Sequence, residues 1–405
     1  MSSQVLFRHA MQLDEACQAL AAPVHTLGLV FVLSVRANAL AQASSSPLAA
    51  TFVHRCRQLL LHADPVQVAL APVEFSRLCQ KFLSFALPQP QGALGAVRPL
   101  LAAAAAMQPT PSHITPIHAL ALQAAILART YRAVVPLLAS TLVQVSAPRT
   151  ALSAHDVLLF HYYSGIALIG LKRHREAMLT LQLALVSPAT VVNSLMVESY
   201  KKWTLCALIA TRALPVLPKY ASTVVQRNAR GCAPAYNELA GAFASRDRAK
   251  LSKVLSQHAA TYNNDGNTGL TKQVSDAFTK EAIVRLSRTY LTLSLADIAA
   301  STGLGSTAEA EALLVKMVEK GELRAQVDCL QAMALFEDTN APDGAELKGA
   351  LESRLESVVA LSQKLHELHD ELASDALYLG KTADKDERGG ARWAAAERAE
   401  DMVVI

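Results

Sequence analysis

The hydrophobic pattern of residues 278–338 changes three times, and it constrains the fold more than any other stretch of the chain. From Phe278 to Tyr290, apolar residues recur at helical spacing and predict a first helix, which leads into a short extended piece. Ser294 with Asp297 three residues later predicts the start of a second helix, which Gly303 ends. The stretch therefore begins with helix, strand and helix in close succession.

The second half of this stretch predicts one more helix and a β-hairpin. Ser306 with Glu309 forms the pattern of a capping box, and a glycine closes the helix. The predicted inner face of that helix consists of Ala310, Leu313, Leu314, Met317 and Val318. Apolar and polar residues then alternate over 323–327, and Met333 and Leu335 are the apolar positions of a returning strand. Three helices followed by a two-stranded wing predict a winged helix.

A winged helix can read DNA, so the charge of its third helix decides between two functions. Residues 306–321 contain Lys316 and Lys320 but three glutamates, a net charge of −1. Phosphates repel such a helix, because neutralisation by Lys and Arg supplies most nucleic-acid affinity. The sequence favours a module that packs against other proteins, with nucleic-acid binding as an alternative.

Composition and charge limit the classes of protein to which the chain could belong. The chain has 405 residues, of which 52% are hydrophobic and 18% charged, enough for a large core in two or three units. Its apolar stretches and acidic N-terminal region predict neither a membrane span nor a signal peptide. Six cysteines without a CxxC pair predict a reducing compartment, cytoplasm or nucleus. Residues 1–253 are basic and residues 306–405 carry ten more acids than bases, which predicts either solvated helix faces or complementary docking.

Upstream of the winged helix the sequence is helical, with loop signals between short segments. In the clearest hairpin, residues 156–188, small and apolar positions resemble a tetratricopeptide-like pair of helices, namely Tyr162, Gly165, Leu168, Gly170, Ala177, Leu181 and Ala184. The predicted architecture is mainly α, a helical-repeat solenoid followed by a winged helix and a long C-terminal helix. The predicted divisions are N-terminal repeats at 1–150, further helices at 151–270, the winged helix at 271–340, a long helix at 341–380 and a disordered tail at 381–405.

The long C-terminal helix carries an apolar seam with spacings of three and four, like a heptad repeat. Its members are Leu347, Leu351, Leu355, Val358, Leu361, Leu365, Leu368, Leu372, Ala376 and Leu379. Such a helix extends about 50 Å at 1.5 Å per residue, longer than its own domain can cover. The seam therefore predicts partner helices, with packing onto its own domain as the alternative.

No catalytic or metal-binding constellation is present in the sequence. It contains no P-loop, nucleophile-elbow or HExxH pattern, and no His-x-His pair of a zinc isopeptidase. His366 and His369 lie one turn apart, but no third ligand is placed by spacing. A basic band that could bind RNA is interleaved with Trp203, Tyr220 and Tyr236. The helical spacing of these aromatic residues, however, is typical of a buried core. No enzyme activity, cofactor or metal ion is expected.

Helical repeats that lead into a winged helix and a long C-terminal helix resemble the PCI family, named for the proteasome lid, the COP9 signalosome and translation initiation factor three. The resemblance is carried by VESYKKWTLCALI (Val197–Ile209), LPKY (Leu217–Tyr220), AYNELAGAF (Ala235–Phe243), LSKVLSQHAATYNNDGNTGLTKQ (Leu251–Gln273), LTLSLADIA and AEALLVKMVEKGEL. Within the family these segments are most similar to PCI subunits of the COP9 signalosome, in a plant or algal form. A subunit of the proteasome lid is the alternative.

The resemblance implies a non-catalytic scaffold in the complex that removes the ubiquitin-like modifier Nedd8 from cullins. Family members associate through their winged helices and through a bundle of C-terminal helices, which implies the other signalosome subunits as partners, with subunits 1 and 8 as the nearest neighbours. Mapped onto this chain, the implied surfaces are the first strand (Thr292, Leu293), the wing (Arg324, Gln326, Leu335, Phe336) and the heptad seam.

Overall fold

The computed structural model describes residues 20–42, 46–139, 142, 144–188, 191–328, 331–336, 344–375 and 379–380. It divides into two compact units, the first comprising residues 1–286 with 300–303, and the second comprising residues 287–299 with 304–405. Helical repeats, a winged helix and a long helix follow one another along the chain, so the predicted fold class is confirmed. In the described ranges, no helix combines the length and hydropathy needed to cross a bilayer.

The first unit is a series of helices joined by short loops. Its first part contains α1 (Thr26–Gln42), α2 (Ser46–Leu61), α3 (Pro65–Leu70), α4 (Pro72–Ala86), α5 (Gly92–Met107), α6 (Pro116–Leu127), a 3-10 turn (Tyr131–Val134), α7 (Val135–Ala139) and α8 (Ala147–Thr150). Its second part contains α9 (Ala154–Gly170), α10 (His174–Val186), α11 (Ser194–Thr211), α12 (Thr223–Cys232), α13 (Pro234–Ala244), α14 (Arg248–Gln257), α15 (Ala259–Asn264) and α16 (Thr268–Thr289).

Two hydrophobic clusters form the interior of this unit, and both include residues of α9. The first cluster runs from Leu29 to Ala167, and the second from Leu158 to Phe278. Continuity through a shared helix is expected of repeats that bury their faces only against neighbours. Helix α9 therefore joins the N-terminal repeats to the helices that lead into the winged helix.

The hairpin of α9 and α10 is packed as its small residues predict. A Cβ atom added at Gly165 would lie 2.5 Å from the side chain of Leu181, and one added at Gly170 would lie 2.8 Å from the ring of Tyr131. Both distances are shorter than atoms tolerate, so the close approach of these elements depends on glycine at both positions. The close approach of α9 and α10 at Gly165 agrees with the predicted hairpin, whereas Gly170 faces Tyr131 of the 3-10 turn and not α10.

A polar network ties α11, α13 and the turn before α16 together inside the first unit. The Nζ atom of Lys201 lies 3.0 Å from Oδ1 of Asp265 and 2.7 Å from a carboxylate oxygen of Glu198. Tyr236 donates to Oδ2 of Asp265 (2.7 Å) and accepts from Nδ2 of Asn267 (2.8 Å). Burial raises the pKa of Asp265, but its hydrogen bonds from Tyr236 and Lys201 outweigh burial and hold that pKa below its usual value.

The described part of the second unit contains a three-stranded antiparallel sheet together with helices. After α16 come β1 (Thr292–Ser294), α17 (Leu295–Thr302), α18 (Thr307–Glu319), β2 (Ala325–Asp328), β3 (Met333–Phe336) and α19 (Gly344–Ser374). The strand order is β1-β3-β2, with the returning strand of the wing in the centre. This is the arrangement of a winged helix.

The first helix of the winged helix begins ten residues earlier than its pattern predicts. Helix α16 starts at Thr268 instead of Phe278. Its N-terminal half buries Leu270, Val274 and Phe278, four residues apart, in the second hydrophobic cluster. This packing outweighs the turn signal of Gly269, so one helix spans the boundary predicted at residue 270.

Candidate protein–protein interface

Helix caps fix the geometry of the winged helix. The hydroxyl of Ser294 accepts from the Asp297 amide (3.1 Å), and the hydroxyl of Ser306 accepts from the Glu309 amide (3.2 Å). Both N-caps predicted from the sequence are confirmed. The carboxylate of Glu309 accepts from the amide of Gly305 at 3.1 Å, one residue before the position that a capping box predicts. Gly321 (φ +65°) ends α18 in the left-handed conformation, as expected for a C-cap glycine.

The sheet places three predicted interface residues in one exposed row. Thr292 on β1 lies opposite Leu335 on β3, and Leu335 lies opposite Gln326 on β2. All three side chains are exposed, with Leu335 at 45%. Since residues directly opposite share a face, they form one continuous surface across the sheet. Arg324, two residues before Gln326, is also exposed.

Two predicted interface residues point into the core, which corrects their assignment. Phe336 is 2% exposed and lies opposite Ala325 on the inner face. Leu293 is half-buried and lies opposite Ala334, which is fully buried. The alternation of β3 is thus shifted by one residue, with Ala334 and Phe336 inside and Leu335 outside. A one-residue shift in phase exchanges the two faces of a strand.

Hydrogen-bond phase determines which backbone groups point to the outer edges of the sheet. The amide of Phe336 donates to the carbonyl of Leu291, and the amide of Leu295 donates to the carbonyl of Ala332. Bonded pairs alternate along an antiparallel ladder, so Leu293 bonds toward β3, Thr292 directs its backbone groups outward and Ser294 directs its amide outward.

The same alternation assigns the backbone groups of the wing. The backbone groups of Ala334 and Phe336 bond to β1, so those of Leu335 bond to β2. Gln326, which lies opposite Leu335, therefore directs its backbone groups toward β3. Ala325 and Val327 therefore direct their N–H groups to the outer edge of β2. Sequence patterning missed Ser294, Ala325 and Val327, because they contribute backbone rather than side-chain chemistry. The length of the loop between the two hairpin strands, four residues, was the sequence feature from which the outward-facing backbone groups could have been predicted.

Helix α19 presents the described part of its seam to solvent. The described side chains from Leu351 to Leu372 are between 43% and 61% exposed, and Leu379 is 51% exposed. Leu351 and Leu372, the first and last of seven apolar residues, are separated by 21 positions in six steps, a mean spacing of 3.5 that is typical of supercoiled helices. The side chain of Leu347 and all of Ala376 lie outside the described residues. The tail at 381–405 lies outside them as well.

In the part of the chain that the structure describes, the candidate histidines and aromatic residues do not assemble around a metal-ligand cluster. In the described part of the chain, no three His, Cys, Asp or Glu side chains converge as metal ligands. His366 and His369 lie on the exposed surface of α19. Trp203 and Tyr236 are buried in the second cluster, as the core alternative predicted, and of the three aromatics in the basic band Tyr220 is the exposed one.

Comparisons with known proteins identify relatives over nearly the whole chain. Residues 1–225 match the family model described as COP9 signalosome complex subunit 3, N-terminal helical repeats, and residues 255–338 match the PCI domain. The chain is 32% identical to COP9 signalosome complex subunit 3 of Arabidopsis thaliana over 372 residues, 90% of this chain and 83% of the relative. It is 27% identical to the Dictyostelium discoideum protein of the same name over 387 residues, 95% of this chain and 91% of the relative. The predicted resemblance to a signalosome subunit is confirmed, and the Arabidopsis relative fits the predicted plant form.

Proposed function

The chain belongs to the family of COP9 signalosome complex subunit 3, and from this membership we propose that it is a non-catalytic scaffold of that complex. In this proposal the complex removes Nedd8 from cullin-RING ubiquitin ligases, and this chain holds other PCI subunits in place. Subunits 1 and 8 are proposed as the nearest neighbours, and nucleus and cytoplasm as the compartments. The alternative of a proteasome-lid subunit is not supported by the family match.

The proposal rests on two surfaces of the second unit that a partner protein could complete. One is an edge of the sheet, and the other is the apolar seam of a helix. The outer edge of β1 exposes backbone groups without a partner strand in the described residues. Helix α19 exposes an apolar seam with the spacing of a coiled coil. An open edge and an unpaired seam are both stabilised by other chains, through strand pairing and helix packing respectively.

Two contacts follow from this arrangement. The exposed row of Thr292, Leu335 and Gln326, together with Arg324, would lie at the joint between neighbouring winged helices. The seam of α19 would enter a bundle of C-terminal helices contributed by all subunits. Helix α18, which exposes Glu309 and Glu319 as well as Lys316 and Lys320, offers no cationic face for DNA.

A scaffold role predicts that deneddylation requires other subunits. The isolated chain has no described ligand set that could bind a metal ion and lower the pKa of a bound water. Purified chain, supplied with zinc, should leave a neddylated cullin intact. Chelator-sensitive cleavage by the homogeneous chain would overturn the assignment.

Assembly is the direct test. Co-expression of the chain with subunits 1 and 8 of the same organism should yield a ternary complex on size-exclusion chromatography with light scattering. Addition of the remaining subunits should yield a complex that cleaves Nedd8 from cullin. If omitting this chain changes neither composition nor activity, the scaffold proposal fails.

A further inference from the structure

A second candidate surface lies in the first unit, on the loop between α11 and α12. Residues 214–218 have no regular secondary structure, yet side chains hold the end of the loop in place. The side-chain amide of Gln226 donates to the carbonyls of Lys219 (3.1 Å) and Ala221 (2.8 Å), and Gln182 on α10 donates to the hydroxyl of Tyr220 (3.2 Å). These bonds hold the C-terminal end of the loop against α10 and α12.

Two prolines favour an extended conformation in this loop. Pro215 and Pro218 disfavour helical geometry at Leu214 and Leu217, the residues that precede them. Exposure alternates accordingly, because Leu214 and Val216 are exposed while Pro215 and Leu217 are half-buried. Leu217 packs against the second hydrophobic cluster. The segment thus has the side-chain period of a β-strand, with one face packed and one face open.

The backbone of this segment has no partner strand. Among the described residues, the amides of Leu214, Val216 and Leu217 form no hydrogen bond. In an extended chain, Leu214 and Val216 direct their backbone groups to the same side, and the N–H missing at Pro215 would have pointed to the other. One side of the segment therefore keeps two donors and two acceptors, enough for a short ladder that ends at Pro218.

The elements that hold the end of the loop carry exposed aliphatic and cationic side chains. Leu179 and Leu183 lie on the same exposed side of α10 as Gln182, which holds Tyr220. Between Glu198 and Glu238 the sequence contains six bases and no acid. Lys201 and Lys202 pair with Glu198, but Lys219 and Arg227 are exposed. The acid on α10, Glu176, lies 2.5 Å from Arg173 and is neutralised by it.

We propose that Leu214–Leu217 is a docking edge for an extended, acidic peptide segment of a partner protein. Its backbone would pair with Leu214 and Val216, and its alternate apolar side chains would contact the exposed face of the segment. Its carboxylates would be attracted by Lys219 and Arg227. A single strand of nucleic acid fits less well, because it needs aromatic platforms and this patch offers Tyr220 alone among leucines and valine.

The test uses the full-length chain and a phage-displayed library of random peptides about twelve residues long. Selection should enrich sequences in which apolar residues alternate with Asp or Glu. A synthetic copy of the most enriched peptide should bind about tenfold more weakly to Val216→Glu, which adds a repelled charge, and to Val216→Pro, which removes an amide donor. Affinity should also fall with rising salt.

Two controls separate docking from unfolding. Val216→Leu keeps the amide and the apolar surface, so binding should stay within about twofold of wild type. Val66→Glu makes the same change at a side chain of equal exposure, 73% against 71% for Val216, and should also leave binding unchanged. Circular dichroism should be alike for all variants.

Three results would overturn the proposal. The first is a failure to enrich any peptide, and the second is enrichment of peptides that bind Val216→Glu as well as wild type. The third is tight, salt-sensitive binding of a labelled uridine 20-mer that is lost in Lys219→Glu and Arg227→Glu, which would assign the patch to nucleic acid. None of these results bears on assembly through β1 or α19, so this inference and the scaffold proposal fail separately.

Discussion

The two units differ in where their polar and apolar groups lie. In the first unit, charged residues such as Lys201 and Asp265 are half-buried and matched to partners, and two continuous hydrophobic clusters form the interior. In the second, the winged helix has a small core around Leu314 and Ala334, while α19 leaves a leucine seam in solvent. A unit that satisfies its own groups can be stable by itself, whereas the unpaired seam gains stability only by association. Substitutions in the buried network of the first unit should therefore affect stability, and substitutions in the exposed seam of the second should affect assembly.

The largest effect is expected for Leu365→Asp combined with Leu368→Asp. Both side chains are exposed in the free chain, so its melting temperature should change by less than about 2 °C. In a bundle the same change buries two charges without partners, which costs several kcal/mol each and should abolish incorporation into the complex. Thermal unfolding and pull-down with co-expressed subunits provide the two measurements.

Val359→Asp is the matched control for the seam. Val359 is 54% exposed, like its neighbours, but lies outside the heptad positions. Assembly should survive this change. A clear loss of stability in the double variant together with normal assembly would assign α19 to self-packing and remove the contrast between the units.

The second prediction concerns the polar network of the first unit. Asp265→Ala leaves Lys201 with one acidic partner and removes the acceptor of Tyr236, which should lower the free energy of unfolding by roughly 3 kcal/mol. Fluorescence of Trp203 during urea unfolding, in a Trp393→Phe background, reports this unit. Asp276→Ala, on the exposed side of α16, should cost less than about 0.5 kcal/mol. Equal costs for the two substitutions would show that the network does not stabilise the unit.

The third prediction is a dependence of stability on pH in the first unit. His118 is buried, and its Nδ1 accepts from the Thr115 amide at 2.9 Å. Burial lowers its pKa from 6.5 to about 4. Between these values the unfolded chain binds a proton that the folded chain does not, so stability falls as pH falls, by about 2 kcal/mol from pH 7 to pH 5.

A comparison of His118→Gln with wild type isolates this contribution. The substituted glutamine can accept the same amide bond, since glutamine three residues after Thr115 completes a capping box, but it does not titrate. The difference in unfolding free energy between the variant and wild type should therefore grow by about 2 kcal/mol on acidification. His161, whose pKa burial also lowers to about 4, contributes equally to both proteins. Unfolding free energies of the variant and wild type that change in parallel with pH would contradict the prediction.

The sequence predicted those features that depend on local chemistry. Ser294, Ser306 and Gly321 mark helix ends through hydrogen bonds and backbone conformation that involve only near neighbours. The seam of α19 was predictable because its period is set within one helix. These residues needed no knowledge of tertiary contacts.

Two features were not predictable because longer-range packing decides them. Four consecutive apolar residues, Met333 to Phe336, have no period, so pairing with β1 and β2 determines which of them point inward. The start of α16 depends on the second cluster, which receives Leu270 and Val274. The phase of β3 in turn decides which edge amides are available to a partner, and this is where the predicted interface needed correction.

The smallest effect, and the most specific test of the interface, is expected for prolines on β1. Thr292 directs its amide outward and Leu293 directs its amide toward β3. Thr292→Pro should therefore weaken association with a neighbouring PCI subunit about tenfold, because one donor is lost from the pairing edge, while stability stays close to wild type.

Leu293→Pro should instead destabilise the winged helix by breaking its own ladder. Thr292→Val, which keeps the amide and the shape of the side chain, should bind like wild type. Affinity measured by isothermal titration, beside melting curves for each variant, distinguishes these cases. If Thr292→Pro binds normally, β1 is not a pairing edge, and the outer edge of β2 and the seam of α19 remain as the candidate contacts.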